Sequence, residues 1–416
     1  VYGDNRSYPK IHRQIVEGIL DASPDLIIHT GDLVANGKKY QQWEEQFFTP
    51  LTGVINHVPL FPSLGNHDKN GDYYYAFFSL PDNGTKKFRE AWYSFDYGDA
   101  HFVALDSNRE YKPDSIQTKW LEKDLAASRA TWKFVFFHHP LYSSGEHKSS
   151  LKHRDAWAKL FMKYGVDIVF NGHEHLYERT YPIASISAPS LKPVTYVVTG
   201  GGGAELHKTK PQLWTAHSES THHFIVGEVN DNTLKLTAYN AAHQIIDTAT
   251  FTKPKGSVVS HYPANFIPYE QIELERQLIA NVKPFDLGYY DSGTAISERL
   301  QVDITNSLET SADFEVHWNV SNAHWRIEPP RQKFTMDAKA RQAFPFQVQC
   351  DADGLYPIPT FSIIYQMGNW SGMVQIPAIR VGPKRTVTCK PKTHGTEMTG
   401  GELKPDGYRS EAFWRE

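Results

Sequence analysis

The chain has 416 residues, 40% apolar, 22% charged and 13% aromatic, with a formal net charge of −4. That length exceeds what one hydrophobic core usually organises, so two domains are expected. The slightly acidic balance, without any long Lys/Arg run, speaks against a nucleic-acid scaffold, and apolar runs such as 58–64 and 134–137 are strand-sized, far short of the roughly 20 residues a membrane helix needs.

The first residues are Val1-Tyr2-Gly3-Asp4, with no initiator Met and no leader-like pattern, so a removed leader and a shortened sequence both stay open. Residues 8–22 carry Ile11, Ile15, Ile19 and Leu20 near a helical period, and 25–29 follow as a short apolar strand. Further strands are expected at 58–64, 102–105, 134–137, 168–170 and 196–198, with helices at 115–127 and 151–164 between them. This alternation describes a layered α/β domain over 1–252. A hairpin is expected over 226–239, turning at Asn230-Asp231-Asn232, with another strand at 245–251.

Beyond residue 253 the texture changes. Residues 253–285 read as a Pro-punctuated connector with a short helix at 269–280. From 286 to 383 the period becomes two, as in Phe344, Phe346, Val348 and Cys350, which describes an all-β sandwich of the immunoglobulin-like kind. Residues 384–416 are a polar tail. Cys350 and Cys389 could form one disulfide or remain two buried thiols.

Five clusters each follow an expected strand: Gly3-Asp4, Gly31-Asp32, Gly65-Asn66-His67-Asp68, His138-His139-Pro140 and Gly172-His173-Glu174-His175. Singly, a Gly-Asp pair is an ordinary turn and a His-His pair a packing feature. Their succession at strand ends is different, because ligands of open α/β sheets bind where loops gather at the carboxyl ends of strands. Carboxylate, amide oxygen and imidazole suit Mn, Fe or Zn, and a set without cysteine argues against a structural zinc. The donors are too many for one tetrahedral ion. Two ions about 3.5–4 Å apart would clamp an in-line phosphoryl displacement and provide a hydroxide at neutral pH.

The order GD, GD, GNHD, HHP and GHEH resembles the calcineurin-like metallophosphoesterase superfamily. The run Gly172-His173-Glu174-His175-Leu176-Tyr177-Glu178-Arg179, with the later Thr199-Gly200-Gly201-Gly202-Gly203, is similar to its purple acid phosphatase branch. The resemblance covers about residues 1–252. It implies an α/β/β/α sandwich and a dinuclear centre of Fe, Mn or Zn that hydrolyses phosphate esters, monoesters favoured, through a metal-bound hydroxide. Asp32 would bridge the ions, Asp4 and His175 would complete one position, and Asn66, His138 and His173 the other. His67 would touch the phosphate and assist the leaving group, and His147 would donate a proton or orient the phosphate.

The motif departs from the family in one place. The superfamily commonly has Asp-x-His first, and the purple branch uses a Tyr three residues after the bridging Asp; here those positions are Arg6 and Ala35. The Asp4 position is therefore one ligand short, and without a phenolate the loaded protein is expected to be colourless. A guanidinium cannot ligate a metal, but its planar donors suit a phosphate, so Arg6 is a candidate substrate contact. Glu178 and Arg179 are expected to brace the loop of His173 and His175. A phosphodiesterase or nucleotidase on the same site, and a degenerate binding or adhesion protein, are the alternatives. The implied partner is a small phosphate ester, and the purple-branch likeness points to a secreted or periplasmic protein.

Overall fold

The computed structural model describes residues 1–253, 265–282, 284–291, 293–376 and 379–383. Cys389 and the 384–416 tail lie outside these residues.

The first layer is a helix. Pro9–Ala22 opens with Pro at its first turn and turns Ile15, Val16 and Ile19 inward. That face lies on the strand His223–Asn230, so closely that a Cβ on Gly18 would stand 2.4 Å from the Phe224 ring. The sheet beneath is assembled from short pieces. β1 (Ile27–His29) pairs in parallel with β2 (Leu60–Pro62). Tyr2 bridges to His29, and the Ile225 N–H donates to the Val1 carbonyl at 2.9 Å. The hairpin His223–Asn230 and Thr233–Asn240, turning at Asp231-Asn232, then continues to Ile245–Thr252.

The second sheet has seven strands. β3 (Tyr93–Tyr97), β4 (Ala100–Ala104), β5 (Trp132–Phe137) and β6 (Ile168–Asn171) lie in order. Beyond β6 come Thr195–Thr199, β7 (Tyr177–Thr180) and Thr215–Glu219. Its central strands are parallel and buried on both faces, which is why they read as unbroken apolar runs. Side chains alternate across β5. Phe134 and Phe136 join Ile27, Phe224 and Leu236 between the sheets, while Val135 and Phe137 join Leu121, Trp157 and Phe161 of helices Ile116–Ala127 and Leu151–Tyr164. The result is the four-layer α/β/β/α sandwich expected from the motifs.

A second core follows. Strands Ala295–Thr305, Arg341–Asp351 and Trp325–Glu328 form one sheet; Arg331–Met336, Ala312–Asn319, Thr360–Met367 and Trp370–Ile376 form another. Leu300, Val302, Phe314, Val316, Phe346 and Ile363 are buried in one cluster that both sheets share, so they are a β-sandwich. Cys350 is buried within it. Helix Tyr269–Asn281 serves both cores: Ile272 enters the helix-side core of the first layer set, and Leu274 and Leu278 enter the sandwich. Glu270 accepts the Ile186 N–H at 3.0 Å on one side, and Gln271 reaches the Tyr365 hydroxyl at 2.9 Å on the other.

Candidate metal centre

The carboxyl ends of Val1-Tyr2, β1, β2, β5 and β6 open on one side of the two sheets. The loops they feed adopt costly backbone conformations. Asp4, Asp32 and His173 all have left-handed φ, at 57°, 55° and 70°, each worth about 1 kcal/mol or more of strain. Surrounding hydrogen bonds impose them: Asp4 N–H donates to Gly31 O at 3.0 Å, Asp32 N–H to Asp68 Oδ2 at 2.9 Å, and His173 N–H to Asp4 Oδ2 at 2.9 Å. Two glycines let the loops touch. A Cβ on Gly65 would lie 2.1 Å from Asp32 Oδ1, and one on Gly172 would lie 2.3 Å from Asp4 Oδ2.

All six expected ligands converge here. His138 Nε2 and His173 Nδ1 lie 2.9 and 3.1 Å from the same Asn66 Oδ1, and His138 Nε2 lies 3.5 Å from Asp32 Oδ2. Donors held about 2.1 Å from one ion stand roughly 3.0–3.4 Å apart, so these separations match the edges of a coordination shell. The other ring nitrogen of His138 faces the Thr30 carbonyl at 3.1 Å, which puts its proton there and leaves Nε2 as a lone-pair donor. His175 is set the same way: Nδ1 faces Glu205 O at 2.5 Å, and Nε2 lies 3.5 Å from Asp4 Oδ1.

Electrostatics support a cation at this place. Burial, and next the charge of Asp32, push Asp4 well above the usual carboxylate range. Asp4 Oδ1 is fully buried without a hydrogen-bond partner among the described residues, a costly state that a bound cation relieves. The imidazoles are tuned oppositely: burial lowers His173 to about 3 and His175 to about 4, and holds His138 well below its usual value. At neutral pH all three are uncharged, as metal ligation requires. Asp4, Asp32 and His138 also offer donor atoms within 4.8 Å of one another.

Around these donors stand the remaining predicted residues. The His67 N–H donates to Asp32 Oδ1 at 2.7 Å, while its half-exposed ring is held by Ala35 O at 2.9 Å from Nδ1. His147 is exposed and stacks on the His173 ring with centroids 4.8 Å apart. Arg6 points inward. Its Nε donates to Asp32 Oδ2 at 3.2 Å and its Nη2 lies 3.3 Å from His175 Nε2. Glu178 accepts the Ser144 N–H at 2.6 Å and Arg179 pairs with Asp247 at 2.6 Å, so the two brace the strand leaving the GHEH loop. His222 bonds the Gly201 carbonyl instead of joining the donor set.

Three contributors were not assigned a role from the motifs. Asp68, wholly buried, accepts the N–H groups of Asp32, Leu33 and Gly65 at 2.8–2.9 Å and so ties the second loop to the third. Its place at the end of GNHD was the available signal. Glu174 and His207 form a second pair, Oε2 to Nδ1 at 2.9 Å, with the His207 ring stacked 4.1 Å from that of His175. Nothing in the spacing from 175 to 207 marks that contact.

A separate cavity of about 690 Å³, lined by Leu26, Phe102, Phe134, Phe170 and Leu234 together with Asp25 and Asp99, lies at the amino ends of the strands, away from these donors.

The sequence profile of the calcineurin-like phosphoesterases matches residues 3–177, spanning the five clusters from Gly3-Asp4 to Gly172-His173-Glu174-His175. Residues 3–177 thus resemble a calcineurin-like phosphoesterase domain. The chain is 30% identical over 222 residues to purple acid phosphatase 15 of Arabidopsis thaliana, covering 45% of this chain and 42% of that protein. It is 29% identical over 255 residues to a protein of the same plant named probable inactive purple acid phosphatase 27, covering 52% and 39%. The solved purple acid phosphatase PPD1 of yellow lupin shares its fold with a TM-score of 0.54 at 23% identity, over 62% of this chain and 54% of that one. The chain thus spans about half the length of the curated relatives it matches.

Proposed function

We propose that the chain hydrolyses phosphate esters at a metal centre built on Asp32, Asn66, His138 and His173, with phosphomonoesters as preferred substrates. One observation carries the reading: two neutral imidazole nitrogens lie at coordination-shell separations from a single amide oxygen, one of them also 3.5 Å from the Asp32 carboxylate, in a site whose buried carboxylates need a cation. Fe, Mn or Zn fits these donors, and such ions supply Lewis-acid stabilisation of an in-line phosphoryl displacement and lower the pKa of coordinated water. The family pattern adds a second position at Asp4, Asp32 and His175.

The chain's own groups divide the remaining work. His67, oriented by Ala35 and partly open to solvent, faces the phosphate and hands a proton to the leaving oxygen. His147, at the rim beside His173, orients the incoming ester. Arg6 offers a fixed cation next to Asp32. In this reading residues 1–252 are the catalytic unit, 253–285 the connector and 286–383 an immunoglobulin-like domain, and the protein acts outside the cytosol. No helix among the described residues is long and apolar enough to cross a membrane.

Turnover of an aryl phosphate monoester against the matching diester, in added Mn or Zn, tests the reading. Monoester turnover at least tenfold faster, and lost in Asn66→Ala and His173→Ala, is expected. Equal or faster diester turnover would move the substrate class. A second reading, a non-catalytic binding protein, draws on the absent ligand at Arg6 and Ala35; it requires less than one tightly bound metal per chain and no turnover of either ester.

A further inference from the structure

We infer that the guanidinium of Arg6 takes the place of the second metal ion, so that one metal and one arginine form the working pair. The inference rests on the phosphoesterase reading above. Three donors define the position in question, Asp4, Asp32 and His175, and Arg6 already engages two of them. Its Nε–H donates to Asp32 Oδ2, the oxygen a bridging carboxylate would share, and Nη2 donates to His175 Nε2, whose lone pair is free because Nδ1 carries its proton toward Glu205 O. A divalent ion using those same atoms would stand against a guanidinium that remains charged at every working pH.

The loop holds the side chain there. Asn5, wholly buried, is pinned by Leu33 O at 2.8 Å, Gln46 O at 2.9 Å and the His29 ring at 2.7 Å. On the other side Ala204 N–H reaches Asp4 O at 2.8 Å and Tyr8 N–H reaches Gly203 O at 3.2 Å. Arg6 therefore springs from a backbone fixed at both flanks, with its side chain 17% exposed. Ala35, where a phenolate ligand could have stood, spends its N–H on Gln46 and its carbonyl on His67, and its methyl offers no donor. By contrast the other position keeps its full set of Asp32, Asn66, His138 and His173. Two guanidinium N–H groups are satisfied inside; the exposed edge retains donors matched to a phosphate oxygen, the service a second ion would otherwise give.

Zinc stoichiometry of the full chain, measured by elemental analysis after gel filtration and by calorimetric titration of the stripped protein, decides the matter. Wild type should hold one zinc per chain with a single-site isotherm; Arg6→His, which restores an imidazole ligand, should hold two. Arg6→Gln, which removes the charge and shortens the side chain while keeping it polar, should admit a second, weaker zinc and weaken inorganic phosphate binding to the one-zinc protein at least tenfold. Two tight zincs in wild type together with ester hydrolysis would overturn this inference alone. So would a folded Arg6→His or Arg6→Gln that stays at one. No zinc in wild type and no hydrolysis would remove the phosphoesterase reading along with it.

Discussion

Asp68 contributes most of the order in the site without touching its centre. One buried carboxylate receives three backbone N–H groups from two loops, so its loss leaves three buried donors unsatisfied at about 1 kcal/mol or more each. Asp68→Ala is expected to destabilise the protein by about 3 kcal/mol and to weaken zinc binding 10–100-fold; denaturant unfolding and zinc titration measure both. Unchanged zinc affinity in a destabilised variant would restrict Asp68 to the fold. At this scale the donors were legible because Asp, Asn and His after strand-ending glycines are chemically suggestive in one dimension. Apart from Glu178 and Arg179, their supports were not. Glu174 and His207 meet only because the glycine-rich segment folds back over Asp4, and Arg6, legible as a candidate phosphate contact, shows its engagement of Asp32 and His175 only once they stand beside it.

Among the elements, legibility followed burial. β5 and β6 are parallel and covered on both faces, so Phe134–Phe137 and Ile168–Phe170 stood out as apolar runs. β3, β7 and Thr215–Glu219 escaped notice. They are antiparallel members toward the sheet's margins, and Tyr177–Thr180, though largely buried, carries Glu178 and Arg179, whose charges interrupt the apolar pattern. Loop contacts impose a second constraint that pattern does not reveal. Gly65 has no room for a side chain, since its Cβ would also lie 2.2 Å from the Asp32 backbone nitrogen, and no rotamer change relieves a clash with backbone. Gly65→Ala should cost about 1–3 kcal/mol and abolish tight zinc binding. Gly227→Ala, whose nearest neighbour is the Leu236 side chain at 3.4 Å, is the control and should leave both nearly unchanged. Equal behaviour of the two variants would contradict the loop-contact argument.

At the scale of the whole molecule, buried neutral histidines link stability to pH. Burial lowers His12 and His223 to about 4 each, against about 6.5 in the unfolded chain. Between these values the unfolded chain binds protons that the folded one refuses. Stability is therefore present above pH 6.5 and is lost as pH falls toward 4, by up to about 3 kcal/mol for each group. Asp4 and Asp68, raised by burial, act in the opposite sense in the metal-free protein, so the comparison must be differential. His12→Gln/His223→Gln should show a Tm that falls less than that of wild type between pH 6.5 and 4.5; parallel curves would show that these rings titrate normally. The two-core layout was visible in the change of period near residue 286, whereas the double duty of helix Tyr269–Asn281 was not, because a 13-residue helix does not announce which of two cores each face will meet.

The most direct test of the whole account is the metal dependence of aryl phosphate hydrolysis by the full chain. Removal of metal with a chelator should abolish turnover of the monoester, and return of one equivalent of zinc or manganese per chain should restore it, with no restoration in Asn66→Ala. Turnover that survives complete metal removal, or a chain that binds metal at Asn66, His138 and His173 yet hydrolyses no phosphate ester, would contradict it.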